Sequence, residues 1–343
     1  MNKLQFIAII AALLFISCEN NDDLVLDNQL ELNYSYSPIP LGDINAKFSE
    51  DISYGPEVRN TFDIFLPDSD QPTPLVIYIH GGGFISGNKE IVYEPMWNGS
   101  WDFPEEIKTL LNAKIAFATI NYRLLEFKDD PDGVLKSLND SKRALQFIKH
   151  NSEALNIDKN NIILTGSSAG AGTSLWLGFS DDMADLSNKD KVLRESTRVK
   201  AVAVKATQAT YDLEKFQSLI FAEYNFKWMD YFELDPAMYH RFKSFYGMSS
   251  LNEFYTEDIT NYRKKVDMLS MMTEDDPEFW VANLQKPVVA PTQNTIVTHH
   301  AYHAKTLKTW ADSIGIANVA YYGDYEHPTG ESFVDFILRK AME

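Results

Sequence analysis

The stretch Asn161-Ile162-Ile163-Leu164-Thr165-Gly166-Ser167-Ser168-Ala169-Gly170 decides the fold. Its first half is apolar and reads as a buried strand. The run that follows, Ala171 to Phe179, reads as a helix. Between them stands a serine flanked at two residues on either side by glycine. A chain that turns sharply from strand to helix leaves no room for side chains at those flanking positions. Such a turn lifts the hydroxyl of Ser168 above the sheet, next to a helix N-terminus. Working upstream, a second strand-like run, Leu75-Val76-Ile77-Tyr78-Ile79, ends in His80-Gly81-Gly82-Gly83-Phe84. A glycine loop at the end of a buried strand can bring bare backbone N–H groups to the same edge as the serine.

The rest of the chain agrees with an alternating pattern. Ile44 to Ser49 and Val58 to Leu66 read as early strands, closed by Pro67 and a proline-rich turn to Pro74. Pro104 opens a helix through Leu111, and Ile115–Ile120 is a further buried strand. Gly133 to His150 has helical spacing. Val199–Val204, Phe279–Ala282 and Ala317–Tyr322 are strands, with helices over about His299–Ile314 and Thr329–Ala341. Apolar strands alternating with amphipathic helices predict an α/β fold: a mainly parallel sheet with helices on both faces. Residues 213–274, rich in Phe, Tyr, Trp and Met, break the rhythm and read as a helical insertion.

The chain has 343 residues, of which 45% are hydrophobic and 23% charged, as expected of a globular body. The net charge of −18 excludes nucleic acid as a natural partner, because phosphate binding needs a basic stripe. Cys18 is the single cysteine, so no disulfide can form within the chain. It follows Lys3, an apolar core from Leu4 to Ile16, and Ser17. Residues 1–17 read as a signal peptide, and Phe15-Ile16-Ser17-Cys18 resembles a bacterial lipobox. The expectation is lipidation at Cys18 and a tether over residues 18–30. The folded body would then span residues 31–343. The acidic run Glu19 to Asp23 resembles the surface-export signal of some Gram-negative lipoproteins. The expected place is therefore the cell envelope, at the outer membrane.

Taken in order, these motifs resemble the α/β-hydrolase superfamily, and within it the carboxylesterases and hormone-sensitive-lipase-like enzymes. The residues that carry the resemblance are Tyr54-Gly55 before Phe62-Asp63-Ile64-Phe65-Leu66-Pro67, then His80 to Phe84 and Asn121-Tyr122-Arg123-Leu124. Asp140 before Ala144-Leu145, Ile157-Asp158, and Gly166 to Gly170 complete the set. The resemblance implies the α/β-hydrolase fold, with residues 213–274 as a cap over the serine. It also implies that no metal and no cofactor is needed. Ser168 becomes the nucleophile, and the N–H groups of Gly82, Gly83 and Ala169 become the oxyanion hole.

A serine hydroxyl needs an adjacent base. The family places a histidine between the last strand and the last helix, where His327 stands. The family's acid position falls on Asn294, which carries no charge to balance an imidazolium. The expected acid is instead Asp212, after the strand that follows the serine strand. Asn294, Glu326 and Asp324 are its alternatives, and a helix cap is the competing role for Asp212. His299-His300 and His303 have a metal-like spacing without an acidic or cysteine partner, and read as a helix start. Phe221, Tyr224, Phe226, Trp228, Tyr231 and Phe232, with Trp97 and Trp101, are candidate pocket walls. The implied activity is a serine esterase acting on small, acetyl or aryl esters, free or borne on polysaccharide. The alternative is a weakly catalytic or inactive binding protein of the same fold.

Overall fold

The computed structural model describes residues 30–95, 101–126, 130–285 and 290–343, without the side chain of Asn294. Cys18, the signal and most of the tether lie outside the described residues, as does Trp97. Eight strands form one sheet: β1 (Ala46–Ser53), β2 (Thr61–Pro67), β3 (Thr73–Ile79), β4 (Ala116–Ile120), β5 (Ile157–Ser167), β6 (Ala201–Lys205), β7 (Phe279–Asn283) and β8 (Asn318–Tyr322). Their order is β1-β2-β4-β3-β5-β6-β7-β8. The pairs β1/β2 and β2/β4 are antiparallel, and every later pair is parallel. The expected mainly parallel sheet is therefore present.

The side-chain period of a strand explains how the two faces fill. Leu75, Ile77 and Ile79 of β3 and Ile162 and Leu164 of β5 enter one core, shared with the helices Leu135–His150, Ala169–Phe179 and Ala301–Ile314. Val76, Tyr78 and Ile163 enter the other, under the helices Phe103–Asn112 and Phe333–Met342. Each such apolar side chain contributes roughly 1.5–3 kcal/mol on burial, and both sheet faces are covered. The helix at Phe103 starts where it does for a local reason. Asp102 accepts from Glu105 N at 3.3 Å, and Pro104 sits in the first turn, where its missing N–H has no cost.

Two elements differ from the expectation. The helix expected over His299–Ile314 is broken into Asn294–His299 and Ala301–Ile314. His300 between them is extended (φ −58°, ψ 145°), and its imidazole accepts from Tyr302 N at 3.1 Å to cap the second piece. The loop after β8 folds back: Tyr322 and Tyr325 form an antiparallel bridge and stack at 4.5 Å. The segment 213–274 does insert between β6 and β7, as the helices Trp228–Leu234, Pro236–Phe245 and Glu257–Lys264 with shorter turns. An aromatic cluster around Trp228, Phe216, Phe232 and Phe242 holds it together.

Candidate active site

In a parallel sheet the loops that leave the carboxyl ends of neighbouring strands converge on one edge. Four of them meet here, after β3, β5, β6 and β7. Ser168 leaves β5 with φ 54° and ψ −121°, a strained conformation at the N-cap of the helix Ala169–Phe179. The turn is possible because its flanks are bare. A Cβ on Gly170 would stand 1.9 Å from the Ile79 carbonyl oxygen, and one on Gly166 would stand 2.6 Å from Gly170.

The glycine loop after β3 lies against this elbow. A Cβ on Gly81 would sit 2.9 Å from Ser167 O and 3.3 Å from Ser168 Cβ. Gly82 (φ 105°) and Gly83 (φ 60°) occupy the left-handed region. Their N–H groups, and that of Ala169, donate to no other described residue. His80 is wholly buried and stacks on Tyr122 at 4.2 Å, whose hydroxyl donates to His80 O at 2.8 Å. Burial pulls the His80 imidazole down to about 4, so the ring is a neutral strut rather than a proton carrier.

The residue that meets the serine is His299. Its Nε2 stands 2.9 Å from Ser168 Oγ. For the hydroxyl to donate, the ring must hold its own proton on Nδ1. Burial lowers the His299 pKa to about 4, with no carboxylate contributing among the described residues. Thus the ring is neutral and ready to accept a proton at neutral pH. Two buried side chains place it. Asn283, at the end of β7, donates to Thr207 O at 2.8 Å and to His300 O at 3.1 Å. Gln208 donates to Thr298 O at 2.7 Å.

The expectation that His327 is the base is corrected. His327 lines a surface hollow with Glu278 and Asn318, at the ends where β7 and β8 begin, so it lies toward the opposite edge of the sheet. The physical cause is the fold-back of the loop after β8, and the ring is engaged with the Thr329 hydroxyl at 2.8 Å. Asp212 as the acid is corrected too. Its carboxylate pairs with Arg263 of the insertion at 3.2 Å and accepts from Glu214 N at 3.2 Å. Burial raises its pKa, against the pull of Arg263. It acts as a turn cap tied to the insertion. Its neighbour Tyr211 is the one that faces the elbow, donating to Ala169 O at 2.7 Å. Asp324 and Glu326 lie in the same folded-back loop as His327, both exposed. The Asn294 side chain lies outside the described residues.

His300 and His303 are structural. His303 Nδ1 accepts from Ala209 N at 3.1 Å and Nε2 donates to Val297 O at 2.8 Å. Among the described residues no cluster of His, Cys, Asp and Glu could hold a metal. Of the aromatic candidates, Trp228 lines the cavity at Ser168, together with Phe84, Phe216, Phe242 and Phe245. Trp101 instead packs beneath the sheet against Phe103 and Lys205. The free space at Ser168 is about 90 Å³, and Gly83, Ala169 and Arg241 border it.

Strand order, the strained serine between two obligatory glycines, and the glycine loop after β3 together decide the fold. The chain has the α/β-hydrolase fold. The comparisons with known proteins agree. The BD-FAE family model matches residues 62–230 of this chain. A relative in Arabidopsis thaliana, isoprenylcysteine alpha-carbonyl methylesterase ICME, is 28% identical over 150 residues, 43% of this chain and 30% of that protein. Probable carboxylesterase 2 of the same plant is 31% identical over 160 residues, 45% of this chain and 47% of its own. The chain thus spans under half the length of these curated relatives. Among solved structures, a truncated carbohydrate esterase from gut microbiota superposes with TM-score 0.58 at 16% identity, covering 88% of this chain and 98% of that one. Esterase B of Lactobacillus rhamnosis gives 0.57 at 15%, covering 89% and 88%. At such identities the structures speak for the fold alone.

Proposed function

We propose that the protein is a serine carboxylic-ester hydrolase acting through an acyl-enzyme on small acyl or aryl esters. The observation that carries this reading is the 2.9 Å contact between Ser168 Oγ and His299 Nε2 at a cavity bordered by Gly83 and Ala169. In the first step Ser168 Oγ attacks the ester carbonyl carbon while His299 takes the hydroxyl proton. The N–H groups of Gly82, Gly83 and Ala169 hold the developing oxyanion. The C–O bond to the alcohol then breaks, and His299 returns the proton to the leaving oxygen. A water molecule, deprotonated by the same ring, cleaves the acyl-enzyme and restores Ser168. The small free space of about 90 Å³ supports a short acyl chain. The esterase names of the relatives support the same reaction class.

The lipobox-like Phe15-Ile16-Ser17-Cys18 supports a lipid anchor at Cys18 and a place in the bacterial envelope. Cys18→Ser should move the protein into the soluble fraction. Unchanged fractionation would remove that part of the proposal.

Residues 24–343 assayed on nitrophenyl esters of increasing chain length test the activity. Turnover should be highest for acetate and butanoate, and a fluorophosphonate should label Ser168. Both signals should vanish in Ser168→Ala with the fold intact. One observation favours the weakly catalytic alternative: no described carboxylate backs His299. Absent turnover and absent labelling in the unmutated protein would decide for it.

A further inference from the structure

Arg241 stands apart from the other arginines of the chain. Arg123, Arg143, Arg198, Arg263 and Arg339 each pair with at least one carboxylate. Arg59 has no carboxylate, but its donors are met by Tyr122 O, Gly87 O and the Asn121 amide oxygen. Arg194 is exposed and donates to Asn188 O at 2.6 Å. Arg241 is half-buried on the helix Pro236–Phe245 and forms no ion pair with a described carboxylate. Its described contacts are Gly83 O at the outer limit of 3.5 Å and the Met238 sulfur at 3.7 Å. Tyr231 and Asp235 act on its charge without pairing with it, and the Asp235 carboxylate caps its own helix through Ala237 N at 3.2 Å. A guanidinium has five N–H donors and a high cost of partial burial. Here no ion pair with a described carboxylate offsets that cost, although the chain carries a net charge of −18 and 49 acidic residues.

The place of this cation is specific. It lines the cavity at Ser168, whose other walls are mainly apolar and aromatic. Its Nη2 lies 2.1 Å from where a Cβ on Gly83 would be, so it rests directly against the glycine loop. A cation held in an aromatic wall beside the serine fits a ligand with a flat apolar body and one negative group. Guanidinium matches a carboxylate with two parallel hydrogen bonds.

We propose that Arg241 binds a carboxylate carried by the substrate, making the preferred substrate an acyl ester of an aromatic hydroxy acid or a similar anionic aryl ester. This rests on the esterase reading of Ser168 and names the substrate class for it. Charge-assisted hydrogen bonds of this kind contribute enough to change affinity roughly ten- to a hundredfold.

The test is a matched pair of substrates, 3- or 4-acetoxybenzoate against the corresponding acetoxybenzamide. The two differ in charge and little in shape. The ratio of their kcat/KM values should favour the anion in the unmutated protein. That ratio should fall roughly ten- to a hundredfold in Arg241→Met and partly recover in Arg241→Lys. A general loss of folding or of catalysis lowers both substrates and leaves the ratio alone, so a ratio within twofold across the three proteins overturns the proposal. If neither ester turns over and nitrophenyl acetate is not hydrolysed either, the esterase reading fails by itself. Calorimetry with 4-acetoxybenzoate then decides on Arg241. Binding that is lost in Arg241→Met sustains the carboxylate site, and binding that is absent or equal in both proteins removes it.

Discussion

Replacing His299 with alanine tests the central contact of the site. The substitution removes the acceptor 2.9 Å from Ser168 Oγ and leaves the serine, the glycine loop and the cavity walls in place. A positioned general base contributes about 10²–10⁴ in rate. The expected fall in kcat/KM is about 10³, equivalent to roughly 4 kcal/mol of transition-state stabilisation. KM should change far less, because His299 is not among the residues that line the free space. The same ring predicts a pH profile. Burial holds the imidazole at about 4, and only its neutral form accepts the proton. The acid limb of kcat/KM should therefore lie near pH 4. At pH 5.5 nearly all of the enzyme would be competent, whereas a ring with an ordinary pKa of ~6.5 would leave only about a tenth. His327→Ala is the control. It deletes a ring that meets Thr329 at the far edge of the sheet, and it should retain full activity. The assay is nitrophenyl acetate hydrolysis across pH 4–8 for the three proteins. If His327→Ala loses three orders of magnitude while His299→Ala stays within tenfold, the assignment is refuted.

The other expectations concern stability. Asp212→Ala should keep kcat within about tenfold but lower unfolding free energy by about 3 kcal/mol in urea titration, because it strands Arg263 in a half-dry setting. A loss of several orders in rate with unchanged stability would restore Asp212 as the acid. The buried His303 ring, held near 3 by burial, makes the fold acid-sensitive. Its folded pKa lies below the unfolded value, so its contribution is complete above pH ~6.5 and is lost progressively as pH falls toward 3. Between pH 7 and pH 5 this amounts to about 2 kcal/mol, and a urea midpoint that does not move over that interval would show that His303 charges freely in the fold.

The sheet was legible because each strand carries its own evidence. The alternation of Leu75, Val76, Ile77, Tyr78 and Ile79 between two cores is a local property of the strand. Ser168 was legible for a steric reason: the close approach of Ile79 O admits only glycine at position 170. The base was not legible. Topology by resemblance pointed past the last strand to His327. The fold-back at Tyr322 and Tyr325, which carries that loop away, depends on a stacking contact no short motif announces. The break at His300 has no proline or glycine to mark it. It depends on Asn283, a buried amide distant in sequence, and this is also why Asn283 and Gln208 escaped notice as positioning residues. Asp212 misled because its partner, Arg263, lies in the insertion, where spacing along the chain says nothing about contact.

The break at His300 has a consequence for how this protein can be rebuilt. His299 faces the serine, while the next ring, His300, packs edge-on against Phe221 at 5.3 Å, and His303 packs against Phe216 at 4.8 Å. Both phenylalanines belong to the insertion. The segment that carries His299 and the pocket roof are thus packed against each other, although the sequence writes them on either side of β7. A graft that exchanges the roof for that of another hydrolase while leaving residues 297–303 behind would unseat the ring that serves Ser168. The smallest exchangeable unit is the roof together with its histidine anchor.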